Sequence, residues 1–140
     1  MTLSNTFLRL AVVAALIGMV WGNVMGATHD HSTSSAHAHL NLLGWVSMSI
    51  YGLFYRVVPQ AGHGRLAWAH FWVAVTGVIL MVPSLPLVLI QYQPALALAG
   101  PVLALAGLVI LLGMALFAII VFRATGPRSA LAWGEKGAPP

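Results

Sequence analysis

One stretch of the sequence decides the class of fold: residues 94–122 read PALALAGPVLALAGLVILLGMALFAIIVF. The stretch contains no charged side chain. About 20 consecutive apolar residues cross the hydrocarbon core of a bilayer as an α-helix, and a longer run crosses it with tilt. Residues 94–122 therefore predict a transmembrane helix that begins near Pro94, where a proline fits the first turn, and ends near Phe122.

The composition of the whole chain agrees with that helix. Of 140 residues, 60% are hydrophobic and 6% are charged, whereas an ordinary soluble domain carries about a quarter charged residues. A soluble fold of this size could not bury so much apolar surface, so the lipid bilayer is the expected partner. The absence of cysteine excludes disulfides and thiolate chemistry. Because the six Lys and Arg residues are dispersed along the chain, nucleic acid is not an expected partner.

Three further apolar blocks complete a predicted all-α fold, an integral membrane four-helix bundle over residues 1–125. The predicted helices are Leu10–Met25, Ala36–Val58, Arg65–Met81 and Pro94–Phe122. Pro83 and Pro86 are expected to end the third helix and to make residues 83–94 a loop or an interfacial segment. The first block also resembles a signal peptide, yet Met25-Gly26-Ala27 lacks the small-x-small cleavage pattern. Residues 126–140 are predicted to be a flexible cytoplasmic tail.

The cations predict the orientation. With four spans, every Lys and Arg falls on one side of the membrane: Arg9, Arg56, Arg65, Arg123, Arg128 and Lys136. The two loops on the other side, residues 28–35 and 83–94, contain none. Because Lys and Arg are enriched in cytoplasmic loops, we expect a multi-pass protein of the bacterial inner membrane with both termini in the cytoplasm.

Histidines carry the chemistry that this sequence offers. His29, His31, His37 and His39 lie near the outer side together with Asp30, and imidazole nitrogens bind zinc, copper and heme iron well. One interpretation is an outer-face copper or zinc site; the other is that a polar loop simply contains histidines. His37 and His39 point to different faces of a helix, because neighbours two apart lie about 200° apart around its axis.

His39 differs from the loop histidines because it lies inside the apolar run of the second helix. At about 1.5 Å per residue it lies below the outer end of that helix, and ionisable side chains at such depth are costly and are functional candidates by default. The alternative is a neutral His39 that is hydrogen-bonded to a backbone carbonyl or to Asn41.

Two motifs carry a resemblance to a known family. They are His39-Leu40-Asn41-Leu42-Leu43 with Gly44-Trp45, Gly52 and residues 54–59 (FYRVVP), and Ala69-His70-Phe71-Trp72 leading to Gly77. Residues 36–80 thus resemble the second and third helices of subunit I of the heme-copper oxidases, the family of cytochrome c oxidase and nitric oxide reductase. The resemblance implies that His39 is an axial ligand of a low-spin heme near the outer face.

The departures from that family limit what the resemblance implies. Its later helices supply the remaining heme and metal ligands, whereas this chain has no histidine after His70. A complete oxidase or reductase is therefore not expected from this chain alone. The second iron ligand is open: His39 of a second copy in a homo-oligomer, an outer histidine such as His29 or His31, or Met25.

The sequence leads to one principal hypothesis and two alternatives. The principal hypothesis is a heme b-binding, cytochrome-like membrane protein for electron transfer or heme handling, with His39, Met25 and Asn41 as candidate cofactor-binding residues. The first alternative is a copper or zinc protein without heme, held by His29, His31, His37 and His39. The second is a structural or assembly subunit for a respiratory-chain partner. His63 and His70 lie on the opposite side, where His70 is expected to snorkel at the interface rather than bind an anion with Arg65 or relay a proton.

Overall fold

Helices account for most of residues 2–126, the part of the chain that the computed structural model describes. The long helices are α1 (Leu3–Thr28), α3 (Arg65–Leu89) and α4 (Gln93–Ala124). Between α1 and α3, residues 34–57 form a continuous helical segment, α2, and Pro59–Gly62 form a 3₁₀ turn. The described residues contain no strand, so the predicted all-α class is confirmed. The predicted tail lies outside the described residues except for Gly126.

The helix limits agree with the sequence pattern at some ends and not at others. Helix α4 extends the predicted Pro94–Phe122 by only one or two residues at each end. Helix α1 begins well before the predicted Leu10, because Thr2 caps it: the Thr2 hydroxyl accepts a hydrogen bond from the Asn5 backbone N–H at 3.4 Å. By length and composition, α1, α3 and α4 are each able to cross a membrane.

The prediction that Pro83 and Pro86 end the third helix is wrong. Both prolines lie inside α3, which continues to Leu89, so residues 83–89 are helical and only a short turn separates α3 from α4. Ser84, buried between the prolines, donates its hydroxyl hydrogen bond to the Leu80 carbonyl at 2.6 Å. Apolar helices accommodate proline in this way, because nearby hydroxyls help to satisfy the backbone groups that the ring leaves unpaired.

Helix α2 changes its winding along its length. It is α-helical over Ser34–His39, π-helical over Leu40–Ser47 and α-helical again over Met48–Val57. Within the wide part, the Ser47 hydroxyl donates to the Leu42 carbonyl at 2.8 Å, a reach of five residues. Wide turns of this kind are rare and frequent at functional sites, and this one begins directly after His39.

The bundle has two chemically different ends. We call the end that carries Arg56, Arg65 and Arg123 the arginine end, and the opposite end, which carries His29, His31, His37 and His39, the histidine end. Most of the buried core lies toward the arginine end, where α1 begins, α2 ends and α3 begins. Its members are Leu3, Phe7, Ala11, Met48, Tyr51, Tyr55, Ala67, Phe71, Ala74 and Ile120.

Close backbone approaches tie the helices together. A Cβ added at Gly52 of α2 would lie 2.8 Å from Leu8 Cγ of α1, and the Ser4 hydroxyl donates to the Gly52 carbonyl at 2.8 Å. A Cβ at Gly77 of α3 would lie 2.7 Å from Ile110 of α4. Small residues at helix contacts are typical of membrane bundles.

Large apolar side chains cover the outside of the bundle. Phe122 is 76% exposed, and leucines and valines along α1 and α4 are more than half exposed. Such an extensive exposed apolar surface indicates contact with a lipid bilayer rather than with water.

Candidate functional site

His39 forms a single hydrogen bond that fixes the state of its ring. Its Nδ1 lies 2.8 Å from the Ser35 carbonyl oxygen, one helical turn earlier. A carbonyl can only accept, so Nδ1 carries the proton and donates, which leaves the lone pair on Nε2. Of the two sequence-based possibilities for a neutral His39, the backbone carbonyl is thus correct and Asn41 is not. The side chain is half-buried.

His37 and Asn41 form a separate pair that faces α1. The Asn41 side-chain amide donates to the His37 carbonyl at 2.9 Å, and its Nδ2 also lies 3.3 Å from His37 Nε2. The His37 ring lies over Gly22 of α1, where an added Cβ would be 3.1 Å from Cε1. His37 therefore packs within the bundle while His39 does not share its contacts, in agreement with the predicted difference in direction.

The contact surface on α1 is a stripe of glycines that the sequence analysis missed. Gly18, Gly22 and Gly26 are spaced by four residues and lie on one face of the helix. Asn41 packs on Gly18, with its Oδ1 only 2.5 Å from the position of an added Cβ, and His37 packs on Gly22. The repeated four-residue spacing was the available signal, because it permits a polar side chain to approach the helix backbone closely.

The other predicted ligands at the histidine end have their own contacts. Met25 is buried, and its sulfur accepts a hydrogen bond from the Thr33 hydroxyl at 3.8 Å. His29 is exposed in a left-handed backbone conformation (φ 54°) where α1 ends. His31 is also exposed, and its Nδ1 donates to the His29 carbonyl at 3.3 Å. None of these contacts directs a second ligand toward His39.

Asp30 is the only acidic residue in this loop. Its carboxylate accepts a hydrogen bond from the Ser32 backbone N–H at 2.9 Å. That bond, with a smaller contribution from the Ser32 hydroxyl, lowers the pKa of the Asp30 carboxyl below its ordinary value. The loop therefore presents a carboxylate beside His29 and His31 at neutral pH.

The potential metal ligands do not converge into one site. Residues 2–126 contain no group of three or more His, Asp or Glu side chains arranged to hold a metal ion. His37 is committed to Asn41 and α1, His39 to Ser35, and His29 and His31 to the turn between α1 and α2. A copper or zinc site from all four histidines would need a rearrangement of the loop.

His70 does not snorkel to an interface, as the sequence analysis expected; it is the most deeply buried polar side chain among the described residues. Its exposed fraction is 0%, and its Nδ1 lies 3.0 Å from the Tyr55 hydroxyl. Its Nε2 has no hydrogen-bond partner within residues 2–126. The reason is tertiary, because α1 covers this face of the α2–α3 hairpin. Enclosure on all sides also excludes a joint anion site with Arg65.

Aromatic rings surround His70. The ring centres of Tyr51, Phe117 and Phe7 lie 4.6, 5.3 and 5.4 Å from the imidazole centre. Sequence reasoning assigned Tyr51 and Tyr55 to packing or to an interface, yet their four-residue spacing places both on one helical face. That spacing was the signal for an aromatic cluster on α2, whereas its partners on α1 and α4 carry no local signal.

The fold defines a class of protein before any comparison: an all-helical chain with three helices long and apolar enough to span a membrane. Comparisons with family models, with curated proteins and with solved structures give no match. The resemblance of residues 36–80 to the heme-copper oxidases therefore rests on the motifs alone, and what it implies for this chain stays a prediction.

Proposed function

We propose that this chain is a four-span protein of the bacterial inner membrane that binds heme b through His39 and transfers electrons or handles heme. The membrane placement is supported by the apolar exterior of α1, α3 and α4. Helix α2 also has a sufficient length, since residues 34–57 rise about 36 Å at 1.5 Å per residue against a hydrocarbon core of about 30 Å.

The proposed orientation is supported by the positions of the cations. Arg65 and Arg123 line one pocket, although they lie on α3 and α4. Arg56 lines a second pocket together with Thr2 and Leu3 at the start of α1. The start of α1, the α2–α3 turn and the end of α4 therefore share the arginine end, which the positive-inside tendency assigns to the cytoplasm.

The hydrogen bond from His39 Nδ1 to the Ser35 carbonyl carries the heme proposal. Metal-ligating histidines characteristically donate their other ring N–H to a carbonyl or a carboxylate, which fixes the tautomer and makes the ligating nitrogen more basic. His39 has this arrangement, with Nε2 as the nitrogen that presents a lone pair. Of the four outer histidines, only His39 combines it with a position inside an apolar helix.

The surroundings of His39 suit an apolar macrocycle. Leu42, Trp45 and Val46 follow it within two helical turns, and all three are exposed. These side chains would cover porphyrin surface and exclude water, while His39 would supply one axial bond. Heme bound in this way supplies reversible one-electron chemistry at its iron, and the protein tunes the potential through the axial ligand, hydrogen bonding and burial.

One copy offers no second axial ligand in an equivalent setting. Met25 is buried against Thr33, and His37 is held against α1. A second copy would offer its own His39, so the proposal includes a homo-oligomer with two-fold symmetry around the heme. Electron delivery would then involve a respiratory-chain partner at the histidine end.

The test is the absorption spectrum of the purified, reduced protein, together with its size in detergent. We expect b-type bands, one heme for two chains, and loss of both heme and dimer in His39→Ala. His37→Ala is the matched control from the same end, because its ring packs on Gly22 and is not required as a ligand. His63→Ala at the arginine end should also keep the heme.

Other results would overturn the proposal in distinguishable ways. A colourless protein that contains copper or zinc, and loses it equally in His37→Ala and His39→Ala, would favour the metal site without heme. A colourless protein without metal would favour the structural or assembly subunit. A monomer that retains heme would show that the second ligand is internal.

A further inference from the structure

A cationic pocket at the arginine end is not used by the proposed heme site. The pocket has a volume of about 360 Å³ and lies between the start of α3 and the end of α4. His63, Arg65 and Arg123 line it together with the backbone of the first turn of α3. Two guanidinium groups from different helices thus face one cavity, although they are far apart in sequence.

The described chain offers no anion to balance these charges. Within residues 2–126, Asp30 is the only acidic side chain, and it lies at the histidine end. A span is about 30 Å thick, so Asp30 is too distant to pair with Arg65 or Arg123. Neutralisation of the pocket has to come from a group outside residues 2–126.

The backbone of α3 adds hydrogen-bond donors to the same cavity. Helix α3 begins after Gly64, which has a positive φ of 122° and provides no side-chain cap. The first N–H groups of the helix therefore lack the acceptor that Ser, Thr, Asp or Asn would supply. Residues 64–67 line the pocket, so these donors and the positive end of the helix dipole lie beside the two arginines.

We propose that this pocket binds a phosphate group, and specifically the headgroup phosphate of an anionic phospholipid. Guanidinium groups match phosphate oxygens by paired hydrogen bonds, and basic pockets between transmembrane helices at the cytoplasmic side bind such headgroups. This inference rests on the membrane placement proposed above but not on heme. Trp68, exposed one turn into α3, lies at the depth where aromatic side chains meet headgroups.

The experiment uses the full chain in nanodiscs of phosphatidylcholine doped with phosphatidylglycerol, with bound lipid counted by native mass spectrometry. Wild type should retain phosphatidylglycerol in preference to phosphatidylcholine. Arg65→Gln or Arg123→Gln should weaken retention about tenfold, and the double variant about a hundredfold. Arg56→Gln is the matched control: it removes the same charge from the same end but does not line this pocket, so its effect should stay below about threefold.

A second arm separates the two sources of phosphate. Inorganic phosphate is titrated into nanodiscs of phosphatidylcholine alone and into the doped nanodiscs. If it does not displace phosphatidylglycerol, the lipid is the ligand; if it binds with the same dependence on Arg65 and Arg123, the phosphate group alone is recognised. Both results support a phosphate site.

The inference is overturned if wild type retains both lipids equally, or if Arg56→Gln weakens retention as much as Arg65→Gln does. The latter result would show a diffuse surface charge instead of a pocket. Failure of the protein to enter nanodiscs would instead contradict the membrane placement. All three variants change exposed side chains, and unchanged melting in phosphatidylcholine alone verifies that they fold.

Discussion

The hydrogen bond between Tyr55 and His70 predicts a large effect from the loss of one oxygen atom. Tyr55→Phe removes the hydroxyl that lies 3.0 Å from His70 Nδ1. Because His70 Nε2 already has no partner in residues 2–126, the substitution leaves both ring nitrogens of a fully buried imidazole unpaired. An unsatisfied buried polar group costs about 1–3 kcal/mol, while the removed hydroxyl leaves almost no cavity.

Membrane proteins generally show weaker effects, with double-mutant cycles that average about 0.6 kcal/mol and reach about 1.7 kcal/mol. This pair should fall in the upper part of that range, since Tyr55 and His70 are 3% and 0% exposed and aromatic rings exclude other partners. We therefore expect Tyr55→Phe to lower the free energy of unfolding by about 1.5 kcal/mol. That loss is about a tenfold change in the unfolding equilibrium.

The assay is unfolding by sodium dodecyl sulfate in mixed micelles, followed by tryptophan fluorescence. Tyr92→Phe makes the same chemical change at an exposed position and should stay within about 0.5 kcal/mol of wild type. In the double variant Tyr55→Phe/His70→Leu neither partner is left unpaired, so its loss should be smaller than the sum of the two single losses by about 1 kcal/mol. A Tyr55→Phe protein as stable as Tyr92→Phe, or strictly additive losses, would refute the reasoning.

Two further predictions concern topology and helix contact. Reporter fusions after Gly126 should read cytoplasmic and fusions within residues 28–35 external, because the described arginines gather at one end; an external reading after Gly126 contradicts the four-span arrangement. Gly52→Ala should destabilise the protein by about 1–3 kcal/mol, since the new Cβ meets Leu8 at 2.8 Å. Gly107→Ala, which has open space around it, should be neutral or stabilising by up to about 1 kcal/mol; thermal melts in one detergent compare the two, and equal losses would remove the packing argument.

Local features of the sequence predicted what depends on local chemistry. Helix α4 follows directly from an uninterrupted apolar run, and the separation of His37 from His39 follows from helical geometry. The third helix was predicted too short because proline was treated as it acts in a water-soluble helix. In an apolar setting an exposed, unpaired backbone is costlier than a strained turn, and Ser84 assists by bonding to the Leu80 carbonyl.

Features that depend on distant residues were not predictable from local pattern. His70 lies one turn into its helix, a position typical of an interface, yet Phe7 from the first helix and Phe117 from the last enclose it. The His37–Asn41 pair was missed for the same reason, because its direction is set by Gly18 and Gly22 on α1. The heme ligand proposed at His39 combines both kinds of information, with depth from the sequence and the tautomer from the fold.

The π-helical stretch over Leu40–Ser47 couples the two ends of α2 in a way that a uniform α-helix would not. Each turn of this stretch accommodates an extra residue, so the segment is equivalent to an insertion in a regular helix. Deletion of one residue between 40 and 47 would restore ordinary winding and rotate the preceding segment by about 100° relative to the aromatic core. His39 would then exchange its outward direction for another, and His37 would leave the glycine stripe. The orientation of the histidine end is therefore set by chain length within α2 as much as by the identity of its side chains.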